Sequence, residues 1–216
     1  STAATAQLTD LGEPVSWNGK LDPLTSVAET TMPGFDERVA LFEDSLNHLN
    51  KVGPFRFGYE YTTNIDMLSQ GTWHSLPNGD RICRFILKAP GAYTMNVQFH
   101  DFFLPKEARL DMYDAVMTYH HGAYTAANNN PARMLGSDLI PGDAMVIEYY
   151  EPAEVAGQGA LTIGMVVHGY RDLFSFEKGA ARVNESGGCN MDVLCPDGAP
   201  WALHKQAVAR ILNGGG

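Results

Sequence analysis

The clearest periodicity in the chain lies over residues 36–50, where Val39, Leu41, Phe42, Leu46 and Leu49 recur near helical spacing. Asp36 offers a side-chain acceptor to a first turn after Pro33-Gly34, and Gly53-Pro54 stops the run. One amphipathic helix is expected there, packed outside the domain that follows. Beyond it the period drops to two. In FRFGYEYTT, Phe55, Phe57, Tyr59 and Tyr61 fall on one side and Arg56 and Glu60 on the other, which predicts a strand. Further strands are predicted over 71–76, 81–88, 92–99, 109–113, 117–125, 144–150 and 161–168, separated by LPNGD, APGA, LPKEA, NNNP and IPGD. Asn78-Gly79 predicts a type I′ hairpin, because that pair accepts positive φ at both positions. Short strands separated by turns, with no helix between them, specify a mainly β chain. The expected fold is an antiparallel β-sandwich, jelly-roll-like, over residues 35–178.

The flanks are patterned differently. Residues 1–34 mix Pro, Gly and both polarities without a sustained period, so an extended arm lying on the body is expected. Residues 179–198 are small, polar and turn-rich, which predicts a linker. After it, PWALHKQAVARIL carries Trp201, Leu203, Val208, Ile211 and Leu212. Pro200 suits a first helical turn, while 207–212 alternates equally well as a strand, so a short C-terminal helix or strand is expected.

Composition narrows the classes of function. With 216 residues and 44% hydrophobic side chains the chain can bury a full core. Fifteen Lys and Arg against 25 Asp and Glu leave a net charge of −10, which argues against a nucleic-acid footprint or an anionic membrane surface. No apolar run is long enough to span a bilayer, and STAATAQL lacks the basic and apolar regions of a signal peptide. Of the three cysteines, Cys189 and Cys195 form a local pair and Cys83 stands apart in RICRFIL. A zinc site on Cys189 and Cys195 lacks further ligands at regular spacing, with only His204 nearby, so no metal or other cofactor is expected.

The candidate chemistry is weak at each position. On a strand His120 and His121 point to opposite faces and converge on one metal only across a bulge. His100-Asp101 and His168 offer acid-base groups, yet no Ser or Cys motif accompanies them. ESGGC superficially resembles a serine-nucleophile turn, but Glu185 stands where Gly-Asp is needed. In IEYYEPAEV, Glu148 and Tyr150 share a strand face opposite Tyr149. With Glu151 and Glu154 nearby, the favoured reading is a solvated strand edge turning at Pro152. Asn184-Glu185-Ser186 fits a glycan-acceptor pattern. Trp73, Tyr93, Phe99, Phe102, Phe103, Tyr149 and Tyr150 could stack on sugars in a carbohydrate-binding module, but core packing accounts for most of them. No catalytic residue is assigned.

Taken together, RFGYEYTTNIDMLSQGTWHSLPNGDRICRFILKAPGA, VQFHDFFLPKEARLDMY, PGDAMVIEYYEPAEVAGQGALTIGMVVHGYRD and SGGCNMDVLCP resemble the N-terminal propeptide region of secreted bacterial serine proteases of the lysyl endopeptidase type. SGGCNMDVLCP is the most specific piece, similar to the start of the mature protease. The resemblance implies a precursor in which a β-rich propeptide precedes a trypsin-like double barrel. Residues 179–216 would then be a linker and the opening segment of that barrel, with the catalytic triad beyond Gly216. It implies that the cysteines matching Cys189 and Cys195 pair deeper in the protease domain; within this chain they are candidates for pairing with each other. Cys83 departs from the pattern, since relatives commonly place Trp after the matching Asp-Arg-Ile. Maturation is expected to cut at Lys178 or Arg182, in EKGAARVNESGG. The implied role is a non-catalytic, secreted propeptide-type domain whose partner is the protease itself. The alternative is an extracellular structural or adhesive sandwich that forms a homo-oligomer or filament by strand addition.

Overall fold

In the strands of this chain one set of alternate side chains is apolar enough to need a second layer, and the chain supplies it by folding two sheets face to face. The computed structural model describes residues 11–18, 21, 23–50 and 55–173. In chain order the elements are β1 (Glu29–Thr31), α1 (Glu37–Asn50), β2 (Gly58–Asp66), α2 (Met67–Gln70), β3 (Thr72–Ser75) and β4 (Arg81–Lys88). There follow β5 (Thr94–Phe103), β6 (Arg109–Asp114), β7 (His120–Tyr124), β8 (Leu135–Gly136), β9 (Ile140–Pro141), β10 (Ala144–Glu151) and β11 (Ala160–Gly169).

One sheet runs β1-β4-β10-β6-β7, with β3 also on β4; the other runs β2-β11-β5-β8, with β9 also on β5. Setting aside the short β1 and β3, the order β4-β10-β6-β7 opposite β2-β11-β5-β8 is that of two interleaved Greek keys. The fold is therefore mainly β, an antiparallel β-sandwich of jelly-roll type. The exception to antiparallel pairing is β1, which adds in parallel to β4 through Glu29↔Ile86, Thr30↔Leu87 and Thr31↔Lys88.

The interior is apolar. Cys83, Phe85 and Leu87 of β4, Met145, Ile147 and Tyr149 of β10, and Leu110 and Met112 of β6 meet Met95, Val97, Phe99 and Phe102 of β5 and Leu161, Ile163 and Val166 of β11. The first sheet is also covered on its outer face, where Val27 packs with Ile86, Tyr113 and Val146, and Trp17 and Leu24 lie against them. Burial on both faces explains why RICRFILK reads as a nearly continuous apolar run. The arm is thus part of the fold over its described residues. Besides β1 it contains short 3-10 turns at Val15–Asn18 and Leu24–Ser26, where no helical structure is predicted.

Local expectations are corrected in several places. The hairpin at Asn78-Gly79 exists, but Gly79 alone takes positive φ (92°) there, and its N–H donates to the Leu76 carbonyl at 3.0 Å. That is a type I turn closed by a left-handed glycine, one residue longer than the expected type I′ form. The strand predicted over 92–99 begins at Thr94 and continues to Phe103, because register shifts opposite β11 let the ladder absorb His100. The strand predicted over 117–125 begins only at His120, since Met117 sits at φ 58° in the turn after Asp114. In β2, Phe57 is buried just ahead of the strand, whereas Phe55 and Tyr59 stay exposed.

The helix falls where its period places it, with the Arg38 N–H donating to Asp36 Oδ1 at 3.1 Å as the first-turn cap. Its orientation differs from expectation. Ala40 is buried, while Val39, Phe42, Leu46 and Leu49 are 57%, 64%, 43% and 77% exposed. At about 100° per residue those four lie within about 80° of one another and on the side opposite Ala40 and Asp44. The apolar stripe faces outward.

Phe99 fills the centre of the sandwich with no exposed surface. Phe99→Ala is expected to cost about 3–5 kcal/mol by cavity formation, whereas Tyr93→Ala, at a half-exposed position, should stay within about 0.5 kcal/mol. Urea denaturation of both variants checks this.

Candidate functional site

Two polar constellations organise the surface of the sandwich, and each fastens a flanking segment to it. The first lies on the outer face of the first sheet. Alternation in RLDMY puts Leu110 and Met112 into the core and turns Arg109, Asp111 and Tyr113 outward. The register sets Arg84, Glu148 and Asp111 side by side across β4, β10 and β6. All three are essentially without exposed surface.

Each is bonded. Glu148 Oε2 accepts from Tyr113 Oη at 3.0 Å and Oε1 from the Ser16 N–H at 3.0 Å, while Ser16 Oγ lies 3.0 Å from Tyr113 Oη. Arg109 holds Asp111 with two bonds of 2.7 Å and reaches the carbonyls of Leu11 and Gly12, each at 3.1 Å. Arg84 Nη2 lies 3.0 Å from His74 Nε2 on β3, a contact in which the guanidinium donates. Burial raises the Glu148 carboxyl above its usual range; bonds from Ser16 and Tyr113 offset this in part, and the Asp111 charge adds to the rise. Burial, with the Glu148 charge, pushes the Tyr113 hydroxyl up as well. A solvated edge at Glu148 is therefore ruled out: β10 is a central strand, and residues 11–18 lie over it.

The second constellation holds α1. Asp44, on the helix side opposite the stripe, accepts from Arg56 Nε at 2.7 Å, Tyr170 Oη at 2.8 Å and Arg171 Nη2 at 2.9 Å. Burial pulls the Asp44 carboxyl upward, but these donors outweigh it and hold it below the usual range. The Arg171 guanidinium also lies 5.0 Å from the centroid of Phe55. No pattern in the sequence pairs Asp44 with residues 126 and 127 positions away. The outward set Arg109, Asp111 and Tyr113, by contrast, is visible in the alternation of RLDMY.

The other sequence candidates are dispersed. His120 packs on Trp17 at 5.6 Å, while His121 Nδ1 lies 3.5 Å from Asp138, and burial lowers the His121 pKa. The β6–β7 register does shift beside them, yet among the described residues no three His, Cys, Asp or Glu side chains gather as a metal site. His100 is exposed over Gly164, Asp101 pairs with Arg133, and His168 is buried against Phe35 at 5.1 Å. Glu151 accepts from Arg81, from Tyr149 Oη at 3.1 Å and from the Gly157 N–H at 2.9 Å. Trp73, Phe99, Phe102 and Tyr149 pack in or against the core, Arg133 covers Phe103 and Tyr150 bonds Asp80, which leaves Tyr93 as the exposed member of the set. Cys83 is a free, buried thiol pushed up to about 12 by burial and by the Glu151 charge, which keeps it protonated and unreactive. Gly71 fits beside it because a Cβ there would meet its Sγ at 2.5 Å. Lys178, Arg182, Asn184, Cys189, Cys195 and the segment 200–212 lie outside the described residues. No protein-family model matches the chain.

The two carboxylates act in separate pH windows. Glu148, with its folded pKa raised, contributes most below the usual carboxylate range, and that contribution is lost as pH climbs through its raised value. Asp44, with its folded pKa lowered, contributes above the usual range and loses its contribution as pH falls through the lowered value. Glu148→Gln keeps an acceptor for the Ser16 N–H. It should flatten the decline in urea midpoint on the upper side of the carboxylate range and leave the acid-side loss in place; an unchanged upper-side slope would contradict the assignment.

Proposed function

We propose that this chain is a non-catalytic propeptide-type domain of a secreted bacterial serine protease of the lysyl endopeptidase type, which assists folding, inhibition or export of that protease. The observation that carries the non-catalytic half is the employment of the buried carboxylates. Asp80, Asp111, Asp114, Glu148 and Glu151 are each bonded to donors that fasten a turn, an arm or a strand end. The hydroxyls they hold, Thr118 on Asp114, Tyr113 on Glu148, Tyr149 on Glu151 and Tyr150 on Asp80, close a turn or tie strands and arm together, which is the bonding of a scaffold and not of an activated nucleophile. The protease half rests on the resemblance of the quoted segments, above all SGGCNMDVLCP. The small-residue stretch with Lys178 and Arg182 suits entry by a trypsin-like enzyme.

The alternative, an extracellular sandwich that assembles by strand addition, draws on one feature. Strand β2 is nine residues long and, among the described residues, has β11 as its sole strand partner. Charge opposes it, since copies at −10 repel one another.

Secretion of the natural product followed by N-terminal sequencing separates these readings. The propeptide reading expects a protease beginning between Gly179 and Cys189, and no peptide hydrolysis by the purified chain. A protease beginning elsewhere, or turnover by the chain that a serine-directed inhibitor abolishes, overturns it. Light scattering tests the alternative, which a monomer at all concentrations would eliminate.

A further inference from the structure

The outward stripe of α1 is an apolar face that the described residues leave uncovered. Val39, Phe42, Leu46 and Leu49 form a continuous band along the helix. The helix is held on its other side by Ala40 and the Asp44 bonds, so covering the stripe disturbs no existing contact. A band of this kind, rimmed by Glu43 and Ser45, has the pattern of a helix awaiting a partner.

We propose that residues 200–212 of the same chain cover this stripe. Three observations identify the occupant. First, the chain leaves the described body beside α1: Tyr170 and Arg171 bond directly to Asp44, and Leu173, packed with Phe57, Leu139 and Val167, is the last described residue. Residues 174–199 then connect Leu173 to the segment. The covalent reach of that many residues far exceeds the length of about 21 Å of the helix, and a tether within reach sets an effective concentration of about millimolar. Second, PWALHKQAVARIL provides an apolar complement in Trp201, Leu203, Val208, Ile211 and Leu212. Third, the charges match. Lys205 and Arg210 occur with no carboxylate side chain from Ala199 to Gly216, whereas the whole chain carries −10 and the stripe is rimmed by Glu43, with Arg38 on its other flank already paired to Asp36. A second copy offers the opposite, since pairing α1 with itself sets acidic helices of two strongly acidic chains together.

The contact needs no protease to follow. If one does, α1 is the surface that holds its opening segment before the barrel forms.

Hydrogen exchange on the full chain tests the assignment. The paired substitutions Val208→Asp and Ile211→Asp, both remote from α1 in sequence, should speed exchange of the 39–49 amides about tenfold and leave β4 and β11 unchanged. The reciprocal pair Phe42→Asp and Leu46→Asp should speed exchange over 200–212. Should those substitutions unfold α1 itself, the tail variants still decide. Exchange of α1 that stays within about twofold in the tail variants overturns the proposal, as does protection that disappears on about hundredfold dilution, which would assign the stripe to a second copy. Either failure leaves the propeptide reading standing, because that reading is decided by the start of the secreted protease.

Discussion

The carboxylate of Glu148 lies on the central strand β10, under the arm and away from solvent, flanked by Arg84 on one side and Asp111 on the other. A buried charge in that position requires donors, and the sheet supplies one in Tyr113. The other comes from the backbone of Ser16, so the arm must lie across the sheet for the site to be satisfied. Once it does, Trp17, Leu24 and Val27 cover the apolar rung formed by Ile86, Val146 and Tyr113, and β1 extends the β4 edge. Removing either partner alone would leave a buried polar group unmatched, which is costlier than never having made the bond. The arm and the sheet therefore form one cooperative unit over the described residues.

The helix at the other end is fastened by opposite means. Its apolar residues turn away from the sandwich, and a single carboxylate, Asp44, gathers the guanidinium of Arg56 just ahead of β2 and the Tyr170 phenol and Arg171 guanidinium just after β11. A charge-assisted cluster of this type gives direction with little buried area. It fixes where α1 sits while leaving the stripe free.

How much of this could be read from the sequence depends on whether the signal was local. The turn signals that bound RICRFILK, AMVIEYYE and LTIGMVVH located β4, β10 and β11 within a residue or so, and the helix limits followed from Asp36 and its spacing. The fold class needed only the succession of short strands and turns. What could not be read was long-range. Glu148 looks solvated beside Glu151 and Glu154 because nothing in IEYYEPAEV announces that Ser16 will lie over it. The apolar positions of α1 carry the period of a packed helix, yet which way the stripe faces is set by Asp44 and its partners near residues 56 and 170. The Asn78-Gly79 turn was located correctly and its type was not, because Asn78 retains negative φ and Gly79 alone makes the left-handed step.

The position of β11 has a mechanical consequence. It is the last strand of the body and lies between β2 and β5, bonded along its length to both. Tension applied to the chain beyond Leu173 meets the packing of Leu173 and the Arg171–Asp44 bridge first and then reaches a strand that cannot be peeled from an edge. To yield, two ladders must slide together. The exit of the chain is thus built like a rivet through the middle of a plate, and once Leu173 has let go a load on that side is shared by the ladders on both flanks of β11.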